Sequence, residues 1–173
     1  MVYVENGERG YCIDRYEASA GPDCPNIEPK NQFETRANIA DPKCGPVAKE
    51  GRAPWVNAPF PDALALCMKA GKRLPTNKEW YRASIGTPDR VDPDDRTLCS
   101  LGRVGETSAD ETGSHVSCKS SSGVYDMVGN VWEWVSSAYK RYPYDAKDGR
   151  EDLNDATVDR VYRGGIHNYI DFG

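Results

Sequence analysis

Between Gly123 and Val135 the chain reads Gly-Val-Tyr-Asp-Met-Val-Gly-Asn-Val-Trp-Glu-Trp-Val, and this composition leaves little choice of local structure. Gly129-Asn130 is a strong turn pair because both residues tolerate positive φ, and Val131 to Val135 alternates as a strand does. Trp132 and Trp134 then share one face of that strand. Glu133 points the other way, beside Asp126 on the far side of the turn, so that two carboxylates and several turn carbonyls converge on a place suited to one hard cation.

Around this segment the pattern is that of a loop-rich α+β domain. Residues 2 to 18 alternate loosely and read as one or two short strands, with Tyr11, Ile13 and Tyr16 on or near the core. Residues 19 to 54 are rich in proline and glycine and lack hydrophobic periodicity, which reads as a loop inserted within a single domain spanning 1–173. From Pro61 to Ala70 the positions Ala63, Leu66, Cys67 and Ala70 recur at helical spacing, with Gly71 suited to the C-terminal cap. Thr76-Asn77-Lys78-Glu79 fits a capping box and predicts a second helix from Asn77 to about Ile85, with Trp80 and Ala83 inward. Residues 86 to 122 read as polar loop, and the charged stretch from Asp145 to Asp159 as a solvated loop or short helix leading to a strand at Arg160-Val161-Tyr162.

Composition narrows the function classes. A net charge of −5, with Lys and Arg scattered among Asp and Glu, provides no basic stripe for a phosphate backbone, so nucleic acid is not an expected partner. Membrane insertion is not expected either, because no apolar run approaches the roughly 20 residues that span a bilayer. The first residues, Met1-Val2-Tyr3-Val4-Glu5, do not read as a signal peptide. The six cysteines lack Cys-x-x-Cys spacing and only His115 and His167 accompany them, which disfavours a zinc site. His115 lies in a turn and is expected to be exposed.

Four ordered motifs carry a family resemblance: Cys12-Ile13-Asp14-Arg15-Tyr16-Glu17, Gly71-Lys72-Arg73-Leu74-Pro75-Thr76 with Glu79-Trp80, the Gly123 to Trp134 segment, and Arg160-Val161-Tyr162-Arg163-Gly164-Gly165. Together they resemble the formylglycine-generating enzyme, or sulfatase-modifying factor, family. The resemblance implies a C-type-lectin-like fold of two helices around a small twisted antiparallel sheet. It also implies structural calcium held by the side chains of Asp126 and Glu133 and the carbonyls of Val128, Gly129 and Val131, the alternative being an empty, hydrogen-bonded turn. For the cysteines, 15 connectivities are open in principle; the resemblance implies Cys12 with Cys67, Cys24 with Cys44 and Cys99 with Cys118. The alternative is that some remain free, buried thiols. Bridges place the protein in an extracellular, cell-surface or virus-particle setting.

The resemblance weakens where the family's oxidases do chemistry. Those enzymes use a cysteine pair after an Arg-Gly-Gly-Ser-Trp motif to hold copper, whereas here Arg163-Gly164-Gly165 is followed by Ile166, His167, Asn168, Tyr169, Ile170, Asp171, Phe172 and Gly173. No catalytic residue or catalytic cofactor is carried over. The His-x-x-x-His-x-Glu arrangement of the related iron-dependent sulfoxide synthases is also missing. A second branch of the fold comprises the variable proteins of diversity-generating retroelements, rewritten at template adenines just after this motif. Residues 166 to 172 are all of types reachable from AAC or AAT codons by changing adenines alone. Aromatic rings among Asn, Asp and His also make a plausible recognition surface. The sequence therefore reads as a non-catalytic binder of a protein or cell-surface ligand through Ile166 to Phe172. A copper-dependent formylglycine-generating oxidase whose active cysteines lie outside this chain is the alternative, and a structural or surface component of the same fold is a third reading.

Overall fold

A computed structural model describes residues 1–88, 98–101, 108–139 and 159–165. The elements in chain order are β1 (Val2–Asn6), β2 (Arg9–Ile13), β3 (Ser19–Ala20), α1 (Gln32–Ala40), β4 (Pro46–Val47), α2 (Phe60–Lys69), α3 (Asn77–Ser84), β5 (Trp132–Ala138) and β6 (Arg160–Gly164). The strands pair as three separate two-stranded antiparallel sheets, β1-β2, β3-β4 and β5-β6. This corrects the expectation of two helices around one sheet: the described residues hold three helices and no single central sheet.

The β1-β2 hairpin turns at Gly7-Glu8, where Gly7 takes φ +67. Its register sets Val2 opposite Ile13 and Val4 opposite Tyr11, so one face joins the core and the other carries Tyr3 and Cys12. The core gathers Val2, Val4, Trp80, Ala83, Val124, Met127 and Val135, with Tyr11, Ile13 and Val161 packed against it. α3 starts with the capping box read from the sequence: Thr76 Oγ1 accepts from Glu79 N at 3.1 Å, and Thr76 N donates to Glu79 Oε2 at 2.8 Å. Arg73 then holds Glu79 with two hydrogen bonds of 2.7 and 2.6 Å, and this guanidinium keeps the Glu79 carboxyl below its usual range.

The inserted stretch contains the helix that periodicity missed. α1 buries polar side chains, Thr35 and Asn38, and leaves Phe33 84% exposed, so its apolar pattern is inverted. Those polar groups are satisfied internally: Trp55 Nε1 donates to Thr35 Oγ1 at 3.2 Å, and Asn38 Nδ2 donates to the Asn26 carbonyl at 2.7 Å. At the other end of α1, Lys69 from α2 donates to the carbonyls of Asn38, Ile39 and Asp41, groups that a helix C-terminus leaves without partners. The Cys24–Cys44 disulfide closes the insert.

Candidate functional site

The turn before β5 is built as its sequence requires. Gly129 takes φ +83 and Asn130 φ +56, and a Cβ at Gly129 would lie 2.2 Å from the Ser100 carbonyl oxygen, so only glycine fits. The Asn130 side chain ties the turn to Glu17 and Asp110 with three hydrogen bonds. Its Nδ2 donates to Glu17 Oε2 at 2.6 Å and to the Asp110 carbonyl at 3.2 Å, and its Oδ1 accepts from Asp110 N at 2.9 Å. Asp126, also at positive φ (+57), accepts from Gly113 N at 2.7 Å. The Cys99–Cys118 disulfide, which the resemblance implied, closes the loop beneath the turn.

Three carboxylates, Glu17, Asp126 and Glu133, lie close enough to act on one another, and the nearby His115 imidazole opposes the rise at Asp126. Burial pushes Glu17 well above the usual carboxylate range, and the charges of Glu133 and Asp126 add to it. Burial likewise raises Asp126, opposed by the Gly113 N–H. Glu133 is pushed up to about 7 by desolvation first, with the Asp126 charge adding and the hydrogen bond from Trp80 Nε1 opposing. Glu17 Oε1 is buried and has no hydrogen-bond partner. Sequence reasoning had named Asp126 and Glu133 but missed Glu17, whose only signal was its place in the Cys12 to Glu17 motif.

The proposed carbonyl ligands divide. The oxygens of Val131 and Gly129 both face Gly164, where an added Cβ would lie 2.8 and 3.8 Å from them. The Val128 carbonyl oxygen instead lies 3.4 Å from Cys118 Sγ, turned toward the disulfide. Among the described residues, no three His, Cys, Asp or Glu side chains already stand in metal-binding array. An all-oxygen set with one orphaned carboxylate oxygen, at Glu17, is the chemistry that a hard cation prefers over a transition metal.

His115 departs from the expected exposed turn residue. Its side chain is largely covered and its Nε2 lies 2.9 Å from Asp110 Oδ2, an oxygen that also accepts from Ser100 Oγ at 2.7 Å.

Above the carboxylates opens a cleft of about 1180 Å³, with Glu133, Asn130 and Trp80 among its lining residues. Trp132 and Trp134 share one face of β5, as alternation predicted, and Tyr162 of β6 stands edge-on to both, with ring centroids 4.7 and 5.5 Å away. Phe60 continues the row against Trp134 at 5.8 Å. This wall is no sealed core, since Trp132 remains 42% and Tyr162 51% exposed. Gly165 packs on Gly129, where a Cβ would come within 3.2 Å of the Gly129 Cα, so the Arg-Gly-Gly motif is clamped against the turn.

One cysteine expectation fails. Cys12 and Cys67 are free thiols rather than a third bridge. Strand alternation places Cys12 on the outer face of the hairpin opposite Tyr3, and the tie from this region to the end of α2 is instead an ion pair, Lys72 Nζ to Asp14 Oδ1 and Oδ2 at 2.8 Å each. Burial, with the Asp14 charge, raises the Cys67 thiol. The expected binding residues Ile166, His167, Asn168, Tyr169, Ile170, Asp171 and Phe172 lie outside the described residues, as does Asp145 to Val158.

The model of the sulfatase-modifying factor enzyme 1-like domain matches residues 9–170. The chain belongs to this family. Relatives of this sulfatase-modifying factor domain include the Bos taurus protein named inactive C-alpha-formylglycine-generating enzyme 2, 34% identical over 108 residues, covering 54% of this chain and 36% of that protein. The formylglycine-generating enzyme of Mycobacterium tuberculosis is 28% identical over 148 residues, 70% of this chain and 48% of the enzyme. That of Streptomyces coelicolor is 32% identical over 132 residues, 66% and 42%. The chain thus spans between about a third and a half of the length of these relatives.

Proposed function

We propose that this sulfatase-modifying factor domain is a non-catalytic ligand-binding protein of C-type-lectin-like fold, a variable protein of the retroelement-diversified kind. In this reading it presents Ile166 to Phe172 to a protein or cell-surface partner. The observation that carries the reading is the clamp at Gly164-Gly165. The chain is fixed against Gly129 and Val131 at the last described residue before the segment in question, beside a half-exposed aromatic wall. A rigid base below an adaptable polar and aromatic segment is how recognition loops combine specificity with tolerance of change. The relatives named as inactive are consistent with a family member that binds without converting its ligand.

In this reading calcium is structural. Glu17, Asp126 and Glu133 would hold it with the Gly129 and Val131 carbonyls, and bound there it would neutralise the carboxylate repulsion that otherwise strains the turn. The two disulfides support an extracellular, cell-surface or virus-particle setting.

The test is to sequence the gene across a population. Variation confined to codons 166 to 172 at adenine positions supports the reading. Invariant codons, or conversion of a peptide cysteine to formylglycine by the copper-loaded protein, would sink it in favour of the oxidase.

A further inference from the structure

Asn6 alone of the chain's asparagines is followed by glycine, and the fold sets that pair at the tip of the first hairpin. The register closes with Asn6 opposite Arg9, so Gly7 and Glu8 form a two-residue loop beyond the last rung. A backbone N–H in such a loop lies outside the ladder, and the Gly7 nitrogen is therefore not spent on β2. Gly7 takes φ +67, and a Cβ there would meet nothing within 4 Å, so this peptide bond stands clear of the rest of the described chain. By contrast the carboxamides of Asn38, Asn77 and Asn130 are buried and fixed by hydrogen bonds.

We propose that Asn6 is a site of spontaneous covalent modification, its carboxamide converting through a succinimide to aspartate and isoaspartate. The Gly7 nitrogen attacks Asn6 Cγ and gives up its proton as the new N–C bond forms, while the carboxamide nitrogen leaves as ammonia. Water then opens the five-membered imide. Attack at Cγ yields aspartate in the ordinary backbone, and attack at the Asn6 main-chain carbonyl carbon yields isoaspartate, with the chain running through Cγ. The balance is water consumed and ammonia released, with no change of oxidation state. Glycine matters because it puts no side chain beside the attacking nitrogen and permits the rotation that brings it to Cγ.

The two products differ in consequence. Aspartate faces Arg9 across the strand pair, an opposite-charge pair that favours the hairpin. Isoaspartate adds a methylene to the main chain at that rung and disturbs the register that turns Val2 and Val4 into the core. The site is thus a built-in route to loosening of the N-terminal hairpin.

Timed incubation of the whole chain at 37 °C, followed by tryptic mapping, tests this. Trypsin releases Met1 to Arg9, in which Asn6 is the sole asparagine, so a gain of about 1 Da in that fragment reports Asn6 alone. The expected result is two chromatographically separate products of that mass, forming roughly tenfold faster at pH 8 than at pH 7 because the attacking amide must lose its proton. Gly7→Asp keeps a residue that tolerates positive φ and should abolish conversion over the same interval. Should Gly7→Asp unfold, Asn6→Gln decides the matter, because its longer side chain closes the ring far more slowly. A synthetic peptide of residues 1–9 is the chemical reference. Conversion of that peptide while the fragment from the folded chain stays unmodified, or a mass gain in the fragment that persists in Asn6→Gln, overturns the inference.

Discussion

Replacing Glu133 with glutamine should stabilise the calcium-free protein at neutral pH, although it removes a charged residue from a motif. In the folded chain the Glu133 carboxyl titrates near 7, against an ordinary value of 4.5. Below about pH 4.5 the group is neutral whether folded or unfolded and costs nothing. As pH rises the unfolded chain ionises first, and folding stability falls until the folded group ionises as well, near 7. Each unit of separation is worth 1.36 kcal/mol, so the loss above pH 7 is about 3 kcal/mol. For a domain of this size that is roughly 10 °C in Tm. Glu133→Gln keeps an oxygen to accept from Trp80 Nε1 and cannot ionise. Urea denaturation in chelator should therefore find the variant and wild type close together at pH 4.5, with the variant up to about 3 kcal/mol more stable at pH 8. Calcium should reverse the order at pH 8, because it rewards only the ionised carboxylate. A variant that is no more stable than wild type at pH 8 in chelator would refute the claim that Glu133 is desolvated beside Asp126 and Glu17.

Three further outcomes follow from particular contacts. Calcium at a hundredfold excess over its dissociation constant should add about 2.7 kcal/mol of stability, and Glu17→Gln or Asp126→Asn should abolish that gain, measured as the shift in Tm on chelation. Thiol titration of the unreduced protein should find two reactive cysteines, Cys12 quickly and the half-buried Cys67 slowly; finding none would restore the Cys12 to Cys67 bridge. Lys69→Met should cost about 1–3 kcal/mol by stripping the carbonyls at the end of α1 of their donor, with the loss visible as faster hydrogen exchange in the insert.

Where local chemistry decides conformation, the sequence was enough. The Thr76 to Glu79 capping box, the Gly129-Asn130 turn and the shared face of Trp132 and Trp134 each follow from residues within a few positions of one another, and each stands in the fold as read. The Cys24–Cys44 and Cys99–Cys118 disulfides stand as the family resemblance implied. Other features depended on partners far away in the chain. α1 could not be recognised because its buried face is polar, and Thr35 and Asn38 are tolerable inside only because Trp55 and Asn26 supply their hydrogen bonds. Glu17 joins Asp126 and Glu133 only because Asn130 reaches across 113 positions to bind it. Alternation fixed which way Cys12 points, yet whether Cys67 could meet it rested on how the hairpin packs against α2. Periodicity and turn chemistry are written along the chain; the pairing of buried polar groups is settled only when distant segments close around them, since desolvation makes such a group costly until its partner arrives.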